Sequence, residues 1–471
     1  MKRNKSDKLT GIIAAGLAFL SAWGFFLFAY PYHLMRREQL NLFMYDWDYI
    51  KETYSGIGWL SHLAGDFVDQ FLYFPVLGPA IVALIITGIG IVTYKICRHW
   101  IGKWGSLGIA ALVFVWSFMR ETGNLYITQY SIAVLCYLAL ILAALQFKKN
   151  WLRALAAAAF LATGVLTVGN PYRAYYGKMW GKPTYLNEKL IALDVNVARE
   201  NWDKVIKLSK KEDLYLNEAC YFFNVATAKK GIIGDEYFNH SQNYMNGIFL
   251  FIEGNQQFID GAAGELWYHI GDMTIAEQSA IIGLQFSPKH TGARFIKRMA
   301  EITMISGDDV AAQKYLNMLS RTLIYRKWAL SMLPENRSAE TEKWLSDARS
   351  NLIDKDTIYY GAEAYEGTLK ELLKVNPDNM MARQYLLMYY LIRCDLDNFI
   401  EYYGQKTIPG ALYEQAALIW LNANDAVTDE NMAKYGISEA TSKKIQQFYQ
   451  SPNRYANTYW YYYADLMFGQ R

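Results

Sequence analysis

The chain has 471 residues, of which 53% are hydrophobic and 16% aromatic, and its formal net charge is only +3. No segment carries the dense Lys and Arg patch that neutralises phosphates, so the composition excludes nucleic acid as a partner. Four cysteines without CxxC or Cys/His spacing indicate no metal or other cofactor. The length allows a membrane domain together with one or two soluble domains.

The first third of the chain is dominated by five apolar stretches, at about residues 11–30, 71–94, 101–119, 127–147 and 154–169. The first is free of charge and long enough to cross about 30 Å of hydrocarbon as a helix. The third and fifth are short and begin beside a basic residue, whose charge can reach the headgroups from a helix end. We therefore predict a bundle of about five transmembrane helices over residues 1–170, with a first outer loop at residues 31–70.

The first stretch also has the basic start and apolar middle of a cleavable signal peptide. It continues into Tyr30, Pro31 and Tyr32, however, instead of a small-residue cleavage site. An uncleaved membrane anchor is therefore the favoured interpretation.

Basic residues gather on one side of the five stretches. The clusters are Lys2, Arg3, Lys5 and Lys8 before the first stretch, Lys95, Arg98 and Lys103 between the second and third, and Lys148, Lys149 and Arg153 between the fourth and fifth. Lys and Arg beside membrane spans are retained in the cytoplasm. Five crossings with a cytoplasmic N-terminus would place the C-terminal part in the periplasm of a bacterial inner membrane.

Beyond a predicted tether at residues 171–184, apolar residues recur at helical spacing with few alternating runs. The fold class predicted for the whole chain is therefore all-α, with a helical domain over residues 185–471. Three segments read as helix hairpins, with a polar break between two apolar faces: residues 186–208, 290–319 and 377–403.

These three hairpins resemble the tetratricopeptide repeat, which pairs antiparallel helices carrying small and aromatic residues and has a proline near the repeat junction. In the third hairpin, Pro377 stands at the junction and Ala382, Tyr385 and Tyr389 fall on one face. The resemblance implies a tetratricopeptide-like α-solenoid, because a helix pair buries its apolar face only by stacking on neighbours.

Two features of this helical domain leave alternatives open. Cys220 and Cys394 could form a bridge in an oxidising compartment, but each lies on an apolar helical stretch, where a buried thiol is favoured. The aromatic run at residues 459–463 and the apolar residues after it are typical of a packed capping helix; the alternative is an exposed binding strip.

The best candidates for chemistry are Asp46 and Asp48 in the first outer loop. Membrane glycosyltransferases that use lipid-linked sugars place an acidic residue in this loop, and the chain looks similar at that point. A carboxylate there could act as a base or hold a divalent ion. Because such acid pairs are common and those enzymes have more spans, a solvated or interfacial loop is the favoured interpretation.

A metal site is conceivable at Glu265 and His269, which share a helical face at i and i+4. No third ligand follows at a recognised spacing, so a structural histidine is favoured. Transport is also disfavoured, since the apolar stretches are almost free of ionisable groups.

The whole chain resembles uncharacterised multi-pass membrane proteins of Bacteroides-type bacteria that carry a tetratricopeptide-like C-terminal domain. Residues 38–43, 73–78 and 277–288 carry this resemblance. Our leading hypothesis is a membrane-anchored protein that presents a helical-repeat surface to periplasmic protein partners. The alternatives are a glycosyltransferase-like enzyme with Asp46 and Asp48 at its site, and an accessory subunit of a transporter.

Overall fold

The computed structural model describes residues 5–56, 58–123, 127–169, 183–251, 257–353 and 364–469. Throughout these ranges the regular structure is helical and no strand occurs. The predicted all-α class is therefore confirmed. Most of the predicted tether, residues 171–182, lies outside the described residues.

The helices of the N-terminal part are α1 Lys5–Gly24, α2 Pro31–Leu40, α3 Trp47–Thr53, α4 Trp59–Asp69, α5 Leu77–Cys97, α6 Lys103–Glu121, α7 Ile127–Ala144 and α8 Asn150–Gly169. A π-helical turn, Phe25–Ala29, prolongs α1.

The helices that follow are α9 Tyr185–Ala198, α10 Trp202–Glu212, α11 Asn217–Lys229, α12 Ile233–Glu236, α13 Tyr244–Ile248, α14 Gln257–Ile270, α15 Met273–Gln285, α16 Ala293–Ser306, α17 Asp309–Ser320 and α18 Arg326–Ser331. The last group is α19 Ala339–Arg349, α20 Ala364–Val375, α21 Met380–Ile392, α22 Leu396–Gln405, α23 Ala411–Ala423, α24 Asp429–Lys434, α25 Glu439–Gln450 and α26 Tyr459–Phe468.

The chain forms two compact units that are interleaved in sequence. The first comprises Met1–Ile191, Ser287–Lys297 and Gln313–Asn336, and the second comprises Ala192–Phe286, Arg298–Ala312 and Arg337–Arg471. The first unit thus includes two segments from the C-terminal part of the sequence. The predicted ranges 1–170, 171–184 and 185–471 divide the chain differently and stay a prediction.

Two helices of the first unit are long and apolar enough to cross a membrane, Leu9–Ala29 and Leu77–Cys97. Only 11% of the apolar window of the former and 33% of that of the latter is buried. The mostly buried core helix of a soluble protein would give higher fractions. The second begins later than the predicted residue 71, because Pro75 lacks an N–H and disfavours helix in the residue before it.

By length and apolar composition, two helices among the described residues qualify as membrane spans. The predicted count of five spans is higher than this. The apolar part of α7, Thr128–Ala144, is too short. The charges of Lys103, Arg120 and Glu121 fall at the two ends of α6, so its uncharged part is short as well. Arg153 lies inside α8, whose sequence is rich in alanine.

The predicted first outer loop, residues 31–70, is largely helical. Pro31 occupies the first turn of α2, where its missing N–H costs nothing. The carboxylate of Asp46 caps α3 by accepting a hydrogen bond from the backbone N–H of Tyr49 at 2.9 Å. Helix α4 then leads through a 3₁₀ turn, Gln70–Tyr73, towards α5.

In the second unit, α21 and α22 form the hairpin predicted at residues 377–403, and they pack against each other. Asn379 caps α21, and Asp395 caps α22 by accepting from the backbone N–H of Asn398 at 3.2 Å. Cys394 adopts a positive φ of 55° in the turn between them. The polar break in the sequence thus marks the helix boundary correctly.

The predicted solenoid arrangement is not confirmed. Every residue of α21 from Met381 to Ile392 is buried. This helix contacts α11, α13, α14, α20 and α22, and Gln384 donates a hydrogen bond to the carbonyl of Ala228 at 3.3 Å. Helices far apart in sequence therefore share one core, whereas each repeat of a solenoid contacts only its neighbours.

Tyrosine hydroxyls join the helices of this core through backbone carbonyls. Tyr221 donates to Ala263 at 2.9 Å, Tyr403 to Tyr435 at 3.1 Å and Tyr459 to Leu391 at 3.0 Å. Each buries a large apolar ring while its hydroxyl keeps a partner. This packing accounts for part of the high aromatic content.

Candidate functional site

The first unit contains a cluster of buried polar side chains, here called the polar centre: Arg37, Asn41, Asp66, Asp69, Glu121, Gln129 and Lys289. Its members come from α2, α4, the end of α6, the start of α7 and the 3₁₀ turn Pro288–His290. All but Lys289 are less than 9% exposed. Buried charges are costly unless they are paired, so the partners of each group decide what the cluster can do.

Arg37 is the largest buried charged side chain of this cluster. Its guanidinium donates to the carboxylate of Glu121 at 2.9 Å, to the hydroxyl of Thr128 at 2.8 Å and to the backbone carbonyl of Glu121 at 3.1 Å. The other carboxylate oxygen of Glu121 accepts from the Ser131 hydroxyl at 2.6 Å. The ion pair therefore ties α2 to the junction of α6 and α7.

Asp66 and Asp69 lie one turn apart on α4. The amide of Gln129 bridges them, since its Nε2 lies 2.6 Å from Asp66 Oδ1 and 2.9 Å from Asp69 Oδ2. Asn41 also donates to Asp69 Oδ2 at 3.0 Å. Two carboxyl groups thus share a buried amide donor.

The surroundings of Asp69 favour its protonated form. Burial raises the pKa of Asp69 to about 7, the positive charge of Arg37 lowers it, and the negative charge of Asp66 raises it again. Its second carboxylate oxygen has no hydrogen-bond partner among the described residues. Asp69 is therefore a buried group that exchanges a proton near neutral pH.

The other carboxylate oxygen of Asp66, Oδ2, has two further partners. The hydroxyl of Tyr54 donates to it at 2.7 Å, and Lys289 forms an ion pair with the same oxygen. The Lys289 ammonium also lies 4.2 Å from the centroid of the Tyr54 ring, a cation–π contact. A residue more than two hundred positions away in sequence thus completes the polar centre.

The cavity beside the polar centre is small. It is lined in part by Glu38, Asn41, Asp66 and Tyr325 and holds about 20 Å³. A volume of that order accommodates one water molecule but not a substrate. The arrangement can hold the segment at residues 31–70 against the adjoining ends of α6 and α7 and bind a proton.

A second buried carboxyl group holds the start of α2. Glu188, on α9, accepts from the backbone N–H groups of Tyr32 at 2.6 Å and His33 at 3.0 Å. Burial raises the pKa of Glu188 to about 8, and the two backbone hydrogen bonds lower it. These N–H groups belong to the first turn of α2, where backbone N–H groups have no acceptor within the helix.

The predicted catalytic candidates, Asp46 and Asp48, do not converge on the polar centre. Besides capping α3, the carboxylate of Asp46 accepts from the guanidinium of Arg321 at 2.6 Å. Asp48 is exposed in the first turn of α3. Both oxygens of Asp46 are thus occupied by structural partners.

The predicted metal candidates, Glu265 and His269, lie on α14 in the second unit and have other partners. Glu265 accepts from Arg298 at 2.6 Å, and Arg298 also donates to Glu301 at 2.8 Å. The His269 ring packs edge-on against Trp202, with ring centroids 4.9 Å apart. Over the described ranges, no group of three or more His, Cys, Asp or Glu side chains is placed to hold a metal ion.

Cys220 and Cys394 are both free thiols. Cys220 is buried in α11, where its thiol donates to the carbonyl of Ser241 at 3.1 Å. This agrees with the buried state favoured from the sequence for Cys220, whereas Cys394 lies in the turn between α21 and α22 and is only partly buried.

Sequence reasoning missed the residues of the polar centre. A usable local signal existed for Asp66 and Asp69, which stand at i and i+3 in the otherwise apolar α4. Arg120 and Glu121 likewise interrupt the end of an apolar stretch. Nothing near Lys289 indicates its partner, because that contact depends on tertiary folding.

The described residues define an all-helical protein with two helices that are able to span a membrane. The chain belongs to a family of unknown function, DUF6057, whose model matches residues 6–180 and 174–465. Comparison with curated proteins and with solved structures gives no match. The family relationship therefore supplies no activity to transfer.

The raised pKa of Asp69 predicts a pH-dependent effect of the Asp69→Asn substitution. In the unfolded chain the carboxyl ionises near its ordinary value, so folding of the wild type binds a proton between about pH 4 and 7. The stability of the wild type should fall as pH rises through this window, while an asparagine has no proton to lose. Thermal and denaturant unfolding of the full chain in mild detergent should show the stability of Asp69→Asn rising relative to that of the wild type by about 4 kcal/mol from pH 4 to pH 8.

Asp48→Asn removes an exposed carboxyl group from the same segment, residues 31–70. It controls for the loss of one negative charge. A stability difference between Asp69→Asn and the wild type that does not change with pH would contradict the assignment of the raised pKa to Asp69.

The buried triad in the second unit predicts that Glu265→Gln is destabilising. Arg298 would lose one of its two carboxylate partners while remaining buried, which costs about 3 kcal/mol. Glu439→Gln is the matched control, because Glu439 forms an exposed pair with Lys443 at 2.6 Å and such pairs are worth about 1 kcal/mol or less. Equal unfolding free energies for the two variants would show that the Glu265 contact is not a stabilising ion pair.

Proposed function

We propose that this protein is a multi-pass inner-membrane protein whose C-terminal helical unit binds protein partners in the periplasm. The proposal includes the Bacteroides-type relationship and the five crossings expected from the sequence. The observation that carries its binding role is an apolar helix end on α26, and the exposed apolar faces of the N-terminal helices support its membrane placement.

Support for membrane placement comes from large apolar side chains on the surface of helices other than α1 and α5. Leu112 on α6 is 72% exposed and Leu161 on α8 is 59% exposed, and Leu140 on α7 is exposed as well. Exposed apolar surface of this extent is unfavourable in water and favourable in a bilayer.

Support for the orientation comes from the helix ends. Lys95 and Arg98 lie at the end of α5 and Lys103 at the start of α6, and Lys148 and Lys149 lie between α7 and α8. With five crossings, all of these fall on one side, which the retention of basic residues assigns to the cytoplasm. The second unit then lies in the periplasm.

The apolar helix end is formed by the last turn of α26. The first turns of this helix are buried, with Tyr459 and Trp460 almost inaccessible, as expected of a packed capping helix. Leu466, Met467 and Phe468 are 39%, 52% and 76% exposed, and we call these three residues the C-terminal tip. Consecutive exposed apolar residues on a helix held by its own core form a surface suited to an apolar partner.

The second unit has features of a scaffold for such a surface. Helix pairs such as α14 with α15 and α20 with α21 pack into one core. A tetratricopeptide-like mode of binding would use the outer faces of these hairpins together with the C-terminal tip.

The test is crosslinking in intact cells with an amine-reactive reagent that does not cross the inner membrane. Lys443, whose side chain is 71% exposed on α25, supplies a reactive amine in the second unit. Mass spectrometry should identify a partner crosslinked to the wild type. Substituting Leu466, Met467 and Phe468 by serine should lower its yield about tenfold or more, because buried apolar anchors carry most binding energy.

The control substitutes three scattered exposed residues of the same unit, Val310, Val375 and Val427, by serine, and should retain the partner. Equal yields from the two triple variants would contradict a role for the C-terminal tip. Reaction of Lys443 only with a reagent that enters the cytoplasm would contradict the periplasmic orientation.

The glycosyltransferase-like alternative makes a different prediction for Asp46 and Asp48. An interaction protein with the Asp46→Asn and Asp48→Asn substitutions should keep its crosslinked partner, because neither residue belongs to the second unit. Weakening of the α3 cap and of the Arg321 ion pair should lower stability by about 1–2 kcal/mol. Loss of a lipid-linked sugar transfer activity in the double variant, while the variant remains folded, would establish the enzyme instead.

A further inference from the structure

A second and larger cavity lies among the N-terminal helices of the first unit. It lies between α1, α5 and α6, is partly open to the surroundings and has a volume of about 500 Å³. Its walls are mainly apolar, with Ile91 and Phe114 among the larger side chains. The volume falls within the range of about 300–1,000 Å³ that is typical of sites for small organic ligands.

Small residues on one face of α1 create the space. Gly11, Ala14, Ala15 and Ala18 recur at helical spacing and all line the cavity. Gly90 on α5 also lines the cavity, and a Cβ added there would meet Phe114 of α6 at 3.6 Å. The helices contact one another around this space, but their side chains are too short to fill it.

One end of the cavity is basic. Lys95 and Arg98, one turn apart at the end of α5, both line it, and no acidic side chain is among the described residues that do. Lys103 lies near the same end, donating to the hydroxyl of Thr10 at 3.1 Å. The apolar walls therefore continue into a mouth of positive charge.

We propose that this cavity binds one anionic phospholipid from the surrounding bilayer. The lipid phosphate pairs with Lys95 and Arg98, and an acyl chain lies along the small residues of α1 and against Phe114. The charge of the mouth selects the headgroup, since basic pockets between membrane helices on the cytoplasmic side bind anionic lipids. The inference rests on the membrane placement proposed above.

The combination of a charged mouth and an apolar interior distinguishes a phospholipid from other occupants. Free phosphate would use Lys95 and Arg98 but leave the apolar walls bare. A helix of a second copy of the chain would fill the apolar part without needing the two cations. An anionic phospholipid satisfies both parts of the cavity and is the abundant bilayer component that does so.

The test is native mass spectrometry of the full chain in mild detergent, titrated with phosphatidylglycerol or with zwitterionic phosphatidylcholine. Phosphatidylglycerol should bind preferentially, and an excess of inorganic phosphate should not displace it. Replacing Lys95 and Arg98 by glutamine should weaken binding about thirtyfold, since each basic residue contributes about fivefold. Lys148→Gln with Lys149→Gln removes two exposed basic residues that do not line the cavity and should leave binding unchanged.

A steric variant gives an independent test. Ala14→Phe fills the cavity without changing its charges and should also abolish phosphatidylglycerol binding, while thermal unfolding shows that each variant is folded. Equal binding of the two lipids, or wild-type affinity after loss of Lys95 and Arg98, would overturn the proposal. A dimer of the wild type that Ala14→Phe dissociates would overturn it in favour of a second copy of the chain.

Failure of this inference is distinguishable from failure of the proposed function. Sedimentation of the chain with carbonate-washed membranes tests the membrane placement without reference to the cavity. A chain that stays in the membrane but shows no lipid preference refutes only the phospholipid site. A chain released by the wash refutes the membrane anchor itself.

Discussion

The buried pairing of Arg37 with Glu121 is the contact on which the arrangement of the first unit depends. The cost of taking an arginine and a glutamate out of water is high, and it is offset because Thr128, Ser131 and a backbone carbonyl add hydrogen bonds to the ion pair. Removing either partner would leave an uncompensated charge where α2 meets the α6–α7 junction. The pair thereby fixes the position of α2 against this junction. Apolar packing or a surface ion pair would define that position less strictly.

The polar centre and the exposed apolar helices impose opposite requirements on the same unit. Large apolar side chains are exposed along α1, α5 and α6, while Arg120 and Glu121 at the end of α6 are buried. A soluble protein shows the reverse distribution. The inward charges also explain why α6 is a poor membrane span by composition although its middle is apolar: Arg120 and Glu121 are buried within the unit.

Local features of the fold were predictable from the sequence because they depend on neighbouring residues. The break at Cys394 and Asp395 marks a helix boundary through a positive φ and a side-chain cap, both local effects. The solenoid expectation was not confirmed because helical spacing shows that a face is buried but not which helix covers it. The sequence of α21 is apolar on nearly every side, and this pattern predicts a helix at the centre of a core.

The candidate site was much less predictable than the helices. Acidic spacing suggested Asp46 and Asp48, yet the first caps a helix and the second is exposed, whereas the buried acids lie at Asp66 and Asp69. The two pairs differ in burial, because Asp66 and Asp69 are covered by the end of α2, by α7 and by the turn carrying Lys289. Burial of this kind depends on tertiary structure. Composition alone does not distinguish a carboxyl group that caps a helix from one that holds a proton.

The interleaving of the two units has a consequence for biosynthesis. Asp66 and Asp46 emerge from the ribosome long before Lys289 and Arg321, the cations that pair with them. During that interval Asp46 and Asp66 lack these cationic partners. The first unit cannot reach its final form until most of the chain has been made. Truncation after the apolar helices would therefore yield an incomplete unit, and neither unit can be obtained from one continuous stretch of the gene.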